Sequence, residues 1–99
     1  MNSGLSKEEM RTLCAALQMF PSVQKAVLFG SRAKGAFSEG SDVDLAVKGC
    51  SETEVIAVSA ALNEEAPLPY FFDVVACERI SSPDLLEHIN RVGIKIYEQ

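Results

Sequence analysis

Hydrophobic residues recur at helical spacing in three stretches of this chain. Each stretch opens on a serine that can cap the first turn and closes at a proline or glycine that ends a helix. The three predicted helices lie between these pairs of residues: Ser6 and Pro21, Ser51 and Pro67, Ser82 and Gly93. In the first two, a glutamate three residues after the serine completes a capping box, which strengthens the prediction.

Four shorter runs are rich in apolar and β-favouring residues, which indicates extended structure. These predicted strands are Gln24–Phe29, Asp42–Lys48, Tyr70–Cys77 and Ile94–Tyr97, the last expected as a short edge strand. Small and basic residues between the first two predict a loop with a helical turn at Gly30–Ser41. The order α-β-β-α-β-α-β predicts one α/β (α+β) domain over residues 1–99, in which helices flank a small mixed sheet.

Charge and cysteine content narrow the classes of function. The net charge of −5, without any block of basic residues, argues against a protein that binds nucleic acid directly. The three cysteines form no CxxC pair, and no apolar run reaches the roughly 18 residues of a membrane helix. The N-terminus does not have the pattern of a signal peptide. We therefore expect reduced thiols, no membrane partner and a cytoplasmic location.

Three of the four aspartates lie in predicted strands, where aspartate is unfavourable. Asp42 and Asp44 are two residues apart, so they point to the same face of a strand, with Cα atoms roughly 6.5–7 Å apart. Asp73 joins them if its strand lies beside theirs. Because three carboxylates repel one another, such a cluster suits a hard divalent cation, Mg²⁺ or Mn²⁺. The alternative is that each aspartate is an ordinary turn, edge or solvent-exposed residue.

The first predicted strand ends at a glycine-serine pair, Gly30-Ser31. Glycine allows the backbone to approach a ligand closely, and amide groups together with the serine hydroxyl can hold phosphate oxygens. Arg32 and Lys34 are the only basic residues of this loop, and they can balance the charge of a triphosphate. The alternative is a plain turn with two solvated cations, since neither a Walker A nor a dinucleotide-binding glycine pattern is present.

The spacing of these groups resembles the signature of the DNA polymerase β-like nucleotidyltransferase superfamily. Gly30-Ser31 is followed after ten residues by Asp42-Val43-Asp44, which matches a GSx₁₀DxD pattern. Asp73 matches the third carboxylate that these enzymes carry on a later strand. The short chain is similar to the minimal nucleotidyltransferase (MNT) group, which consists of the catalytic domain alone. Lys34 stands where many relatives have arginine, which keeps the charge but loses the bidentate fork.

The resemblance implies a role for each of these residues. The nucleotide-binding residues would be Gly30, Ser31, Arg32 and Lys34. The catalytic residues, which would also bind two Mg²⁺ ions, are Asp42, Asp44 and Asp73. Of these, Asp73 would lie beside the acceptor and help to deprotonate its hydroxyl. The implied reaction is in-line attack on the α-phosphorus of a nucleotide, with pyrophosphate as leaving group.

The MNT group includes the antitoxin half of MntA–HepT (type VII) toxin–antitoxin pairs, which adenylylates a tyrosine of a HEPN-domain ribonuclease. The resemblance therefore implies ATP as the donor and a HEPN-type toxin as the protein partner, in a hetero-oligomer. Two other functions stay open. One is a non-catalytic MNT subunit that neutralises its partner by contact, and the other is transfer of a nucleotide to a small molecule.

The remaining conspicuous side chains are expected to belong to the scaffold. His88, on the last predicted helix, has no second histidine or cysteine near it in sequence, which is typical of a surface or internally hydrogen-bonded helix residue. Tyr70, Phe71 and Phe72 are expected in the core of the sheet, with stacking on a nucleotide base as the alternative.

Overall fold

The computed structural model describes residues 3–38 and 40–99. The helices and strands lie at these bounds: α1 Lys7–Gln18, β1 Lys25–Phe29, α2 Ser31–Lys34, β2 Val43–Lys48, α3 Glu52–Ala60, β3 Phe72–Ala76, α4 Pro83–Val92 and β4 Ile94–Glu98. This is the predicted order, with the helical turn of the first loop formed as α2. Helix α3 continues into a π-helical turn at Ala61–Glu65, and a 3₁₀ turn at Cys77–Arg79 follows β3. Glu39, within the spacer of the predicted motif, lies outside the described residues.

Serine side chains begin the three long helices where the sequence predicts. Ser6 accepts a hydrogen bond from the amide of Glu9, and the Glu9 carboxylate accepts one from the amide of Ser6. Ser51 and Glu54 form the same reciprocal pair at the start of α3. Ser82 accepts from the amide three residues later and caps α4. Because these contacts satisfy amides that a helix leaves unpaired, they fix where each helix begins.

A four-stranded mixed sheet in the order β3-β2-β1-β4 forms the centre of the fold. Strand β1 pairs antiparallel with β2 and with β4, and β4 lies at the edge as predicted. Strands β2 and β3 run parallel and are joined through α3. Their register sets Val43 opposite Phe72 and Asp44 opposite Asp73.

Helices α1 and α3 cover one face of the sheet and close a hydrophobic core with it. The fully buried members of this core are Leu13, Leu17, Val23, Ala26, Leu28, Val43, Leu45, Val47, Val58, Leu62 and Phe72. Side chains alternate between the faces of a strand, so the residues between these ones point to the opposite face. Asp44 and Asp73 therefore lie on the side of the sheet away from this core.

Helix α4 lies against the second face of the sheet. Gly93, at its end, lies against the side chain of Val27 in β1. The ring of His88 meets the ring of Phe29 edge to face, with centroids 6.3 Å apart. The two paired aspartates thus lie near the starts of β2 and β3. The end of β1 and the middle of α4 lie beside them. None of the helices within residues 3–38 and 40–99 is long and apolar enough to cross a membrane.

The third strand is shorter than predicted at both ends, since it begins at Phe72 and gives way to a 3₁₀ turn at Cys77. Tyr70 leaves the sheet and donates a hydrogen bond from its hydroxyl to the carboxylate of Glu9 at 2.8 Å. Phe71 is 60% exposed, which corrects the expectation that it lies in the core, whereas Phe72 is fully buried. The predicted starts of β1 and β2 also move by one residue, from Gln24 to Lys25 and from Asp42 to Val43.

Candidate active site

Two of the predicted carboxylates lie side by side in the sheet. Asp44 in β2 and Asp73 in β3 are partners in the parallel register, so one strand spacing of about 4.8 Å separates their backbones. Asp42 lies one residue ahead of β2 and two residues before Asp44, which puts it on the same side of the chain. The fold therefore brings together two sequence segments that are far apart in the chain.

The three carboxylates have no partner in the described parts of the chain. None of them accepts a hydrogen bond or forms an ion pair with residues 3–38 or 40–99. Partial burial raises the pKa of Asp44, and the nearby carboxylates of Asp73 and Asp42 raise it further. Like charges held this close favour an added proton or a bound cation.

The donor set has the chemistry of a metal site that is shared with a ligand. Within residues 3–38 and 40–99, no three side chains of His, Cys, Asp or Glu converge closely enough to hold a metal ion on their own. However, Mg²⁺ is usually held by one or two carboxylates, waters and substrate phosphates rather than by an all-protein cage. The carboxylates of Asp42, Asp44 and Asp73 fit this second mode. Asp42 and Asp73 are exposed, so a ligand can approach them. A cation here would thus need phosphate oxygens as further ligands.

Gly30 lies directly against Asp44. Its backbone has φ 77° and ψ −156°, a region that essentially only glycine occupies. A Cβ atom at this position would collide with the carboxylate of Asp44. The preceding residue, Phe29, is the register partner of Asp44 across β1 and β2. Both the backbone conformation and the close contact with Asp44 therefore require glycine here.

Ser31 and Lys34 lie on the one-turn helix that directly follows Gly30. They are three residues apart, so they share a side of the turn. In the described parts of the chain, the Ser31 hydroxyl has no hydrogen-bond partner and the exposed Lys34 ammonium has no ion-pair partner. Both groups are thus available to an anion that lies beside Gly30.

Arg32, predicted as a nucleotide-binding residue of the loop, lies buried in the protein. It is only 1% exposed, and its guanidinium donates to the carbonyl oxygens of Ser3 at 2.9 Å and of Ser41 at 2.9 and 3.1 Å. The guanidinium also lies over the rings of Phe37 and Tyr70, at 4.9 and 4.7 Å from their centroids. The residue after Ser31 projects from another side of the turn, so Arg32 braces the loop before Asp42 rather than offering its charge to a phosphate.

Asn63, in the π-helical turn, positions the strand that carries Asp73. Its side-chain oxygen accepts a hydrogen bond from the amide of Phe72 at 2.7 Å, and its side-chain nitrogen donates to the carbonyl of Phe72 at 2.9 Å. Strand β3 lies at an edge of the sheet, so these bonds satisfy backbone groups that no neighbouring strand reaches. Asn63 therefore fixes the residue immediately before Asp73.

His88 is a residue of this site that the sequence did not reveal. Its Nε2 atom accepts a hydrogen bond from the amide of Gly30 at 3.2 Å. The expectation of a hydrogen-bonded helix histidine is thus correct, but its partner belongs to the glycine-serine pair. One signal was present, since His88 is three residues after Leu85 and four before Val92, on the apolar stripe of its helix. That spacing predicts a residue that faces the sheet without showing what it meets there.

Known proteins share both sequence features and fold with this chain. The profile of the family described as "Polymerase beta, Nucleotidyltransferase" matches residues 11–99. No curated protein sequence matches the chain significantly. Among solved structures, a chain of a toxin–antitoxin crystal structure with AMP-PNP is 21% identical at a TM-score of 0.75, and the match covers 91% of this chain and 73% of that one.

Two further structural neighbours come from complexes of the same kind. A chain of the MntA-HepT toxin–antitoxin crystal structure is 18% identical at a TM-score of 0.71, with 95% of this chain and 74% of that one covered. A chain of the tri-AMPylated Shewanella oneidensis HEPN toxin in complex with MNT antitoxin is 19% identical at a TM-score of 0.67, with 91% and 70% covered. At these identities the likeness is one of fold, and it agrees with the predicted small mixed sheet flanked by helices.

Proposed function

The chain belongs to the polymerase β-type nucleotidyltransferase family, and we propose that it is a Mg²⁺-dependent protein adenylyltransferase. It transfers AMP from ATP to a tyrosine hydroxyl of a HEPN-type toxin and so acts as the antitoxin. The observation that carries this proposal is the pairing of Asp44 with Asp73 in register, with Gly30 against Asp44. The neighbours with AMP-PNP and with a tri-AMPylated HEPN toxin support the donor and the kind of partner.

The residues around Gly30 suit the triphosphate of the nucleotide. Gly30 has no side chain that would keep a phosphate away from the backbone. The Ser31 hydroxyl would donate to a phosphate oxygen, and the Lys34 ammonium would balance part of the phosphate charge. Neither group has another partner in the described parts of the chain. In this proposal Arg32 contributes by bracing the loop that leads to Asp42.

The carboxylates suit the transfer step. Asp42 and Asp44 would hold Mg²⁺ ions that are shared with the phosphates. These cations would neutralise charge on the attacking and leaving oxygens. The tyrosine oxygen forms a bond to the α-phosphorus while the bond from that phosphorus to the bridging oxygen breaks. Pyrophosphate leaves with the electron pair. Asp73 is exposed next to Asp44, so it can accept the proton of the incoming hydroxyl.

The test is transfer of label from α-labelled ATP to a HEPN-domain protein encoded by a neighbouring gene, in the presence of Mg²⁺. We expect label on a tyrosine of that protein, located by peptide mass spectrometry. Asp42→Asn and Asp44→Asn should each lower the transfer rate by at least about 100-fold, because each removes a group that stabilises charge in the transition state. Asp84→Asn is the matched control, since Asp84 is the fourth aspartate of the chain and lies exposed at the start of α4.

Two other outcomes would contradict the proposal. Inhibition of the toxin that survives both Asp42→Asn and Asp44→Asn would indicate a subunit that neutralises its partner by contact. Label in a small soluble acceptor, with no partner protein present, would indicate a nucleotidyltransferase that acts on small molecules.

A further inference from the structure

We infer that His88 is a positioning residue of the proposed active site, and that it reserves the amide of Gly30 for itself rather than for a nucleotide phosphate. This inference rests on the proposed function. Its basis is the hydrogen bond from the Gly30 amide to His88 Nε2, at 3.2 Å, together with the packing of Gly30 on Asp44. His88 thereby acts on the carboxylate through the glycine that lies between them.

The hydrogen bond specifies the state of the imidazole ring. A backbone amide can only donate, so Nε2 of His88 must carry a lone pair. In the neutral ring the proton is then on Nδ1. The ring is held in this orientation by its edge-to-face contact with Phe29, at an interplanar angle of 80°. Phe29 precedes Gly30 in the chain, so His88 contacts two successive residues at the end of β1.

Asp44 depends on this arrangement for its position. Within residues 3–38 and 40–99 its carboxylate has no hydrogen-bond donor, and it lies directly against Gly30, so this contact contributes to holding it in place. If His88 loses its acceptor atom, Gly30 is held less firmly and the carboxylate can move. A small displacement of a reacting or charge-stabilising group slows a transfer step strongly. Within residues 3–38 and 40–99, the side chains of Ser31 and Lys34, the proposed phosphate contacts, form no hydrogen bond with His88, so a change at His88 removes no group that would bind the nucleotide.

The variants separate the acceptor atom from the packing of the ring. His88→Phe keeps an aromatic ring beside Phe29 but removes the acceptor, whereas His88→Gln retains an oxygen that can accept from Gly30. Asn90→Ala, an exposed position on the same helix, is the control. We expect kcat of His88→Phe to fall about 10-fold, the upper range for one hydrogen bond, while KM for ATP changes by less than about 2-fold. His88→Gln should recover most of kcat.

A spectroscopic measurement tests the contact independently of transfer. In amide correlation spectra of the protein, the Gly30 resonance should shift in His88→Phe and stay near its original position in Asn90→Ala. With Mg²⁺ and AMP-PNP added to both proteins, the difference between the Gly30 resonances of the wild type and of His88→Phe should persist. A Gly30 resonance that ignores His88→Phe, or a rise in KM for ATP with kcat unchanged, overturns the inference. Absence of transfer by the wild type overturns the proposed function instead, and the amide spectra still decide the role of His88.

Discussion

At the scale of single residues, the site depends most on Gly30. Its positive φ is a cost to any other residue, and its closeness to the Asp44 carboxylate leaves no room for a Cβ atom. Gly35 also has a positive φ of 78°, but open space surrounds the position of its Cβ. The two glycines therefore differ both in their backbone region and in the space around the Cβ position.

Gly30→Ala is expected to lower the free energy of unfolding by about 1–3 kcal/mol, which is the cost of a non-glycine residue in this backbone region. The collision of the new Cβ atom with the Asp44 carboxylate should increase this loss. Gly35→Ala should cost only about 1–2 kcal/mol, the cost of a left-handed conformation. Urea denaturation measures the free energy of unfolding of both variants. Equal losses for the two variants would contradict the expectation that Gly30 tolerates a side chain less well than Gly35.

Asp44 illustrates a conflict between the proposed function and the stability of the fold at one residue. Burial and the neighbouring carboxylates raise its pKa in the folded protein. At pH values between the ordinary carboxyl pKa of about 3.9 and the raised pKa of Asp44, the folded state binds the proton better than the unfolded chain does. Stability therefore falls as the pH rises through this window, and the full penalty is present at neutral pH.

Asp44→Asn is accordingly expected to raise Tm at pH 7 in buffer with a chelator, because it removes this penalty. The gain should shrink as the pH is lowered toward about 4, where the wild-type carboxyl becomes protonated. Thermal unfolding at several pH values measures both effects. Asp84→Asn should act in the opposite direction at pH 7, since Asp84 lies in the first turn of α4, where a carboxylate is favourable. A lower Tm for Asp44→Asn would contradict the argument.

At the scale of elements, short irregular segments position the site. The one-turn helix α2 directs Ser31 and Lys34 to one side and Arg32 into the fold. Arg32 then joins the segment at Ser3 to the loop that ends at Ser41, immediately before Asp42. In the same way, the π-helical turn presents Asn63 to the strand of Asp73.

Arg32→Lys is expected to lower the free energy of unfolding by about 1–3 kcal/mol, because a lysine cannot supply all the donors that the carbonyl groups of Ser3 and Ser41 receive from the guanidinium. Lys34→Met, two residues away on the same turn but exposed, should change stability by less than about 0.5 kcal/mol. Denaturant titration of the two variants gives the comparison. If Arg32→Lys is as stable as the wild type, the guanidinium fork does not hold the loop.

At the scale of the whole molecule, a net charge of −5 opposes the approach of a polyphosphate, as do the three carboxylates that have no partner within residues 3–38 and 40–99. Divalent cations offset the negative charge of the site when they are shared between the carboxylates and the phosphates. Because the described side chains form no closed metal site, metal and nucleotide should stabilise the protein only together.

Mg²⁺ with AMP-PNP, at about 100 times its dissociation constant, is expected to stabilise the fold by about 2.7 kcal/mol. For a domain of this size that corresponds to a rise in Tm of roughly 10–20 °C. Differential scanning fluorimetry provides the measurement, with Mg²⁺ alone and AMP-PNP with a chelator as controls. A shift with Mg²⁺ alone as large as with both would instead indicate a complete protein metal site.

The sequence by itself determined the elements and the aspartates of the candidate site. Capping serines and hydrophobic spacing act over three or four residues, so Ser6, Ser51 and Ser82 could be assigned from neighbours in the chain. The glycine-serine pair and its spacing to Asp42 and Asp44 were equally visible, because they form one contiguous stretch.

Only the tertiary structure decided which distant groups meet. The register of β2 and β3 sets Asp73 beside Asp44, and the packing of α4 brings His88 to Gly30 across 58 positions of the chain. The burial of Arg32 between Phe37 and Tyr70 depends on the same kind of long-range packing. Local spacing fixes the face on which a side chain lies, but its partner depends on how the elements pack in three dimensions.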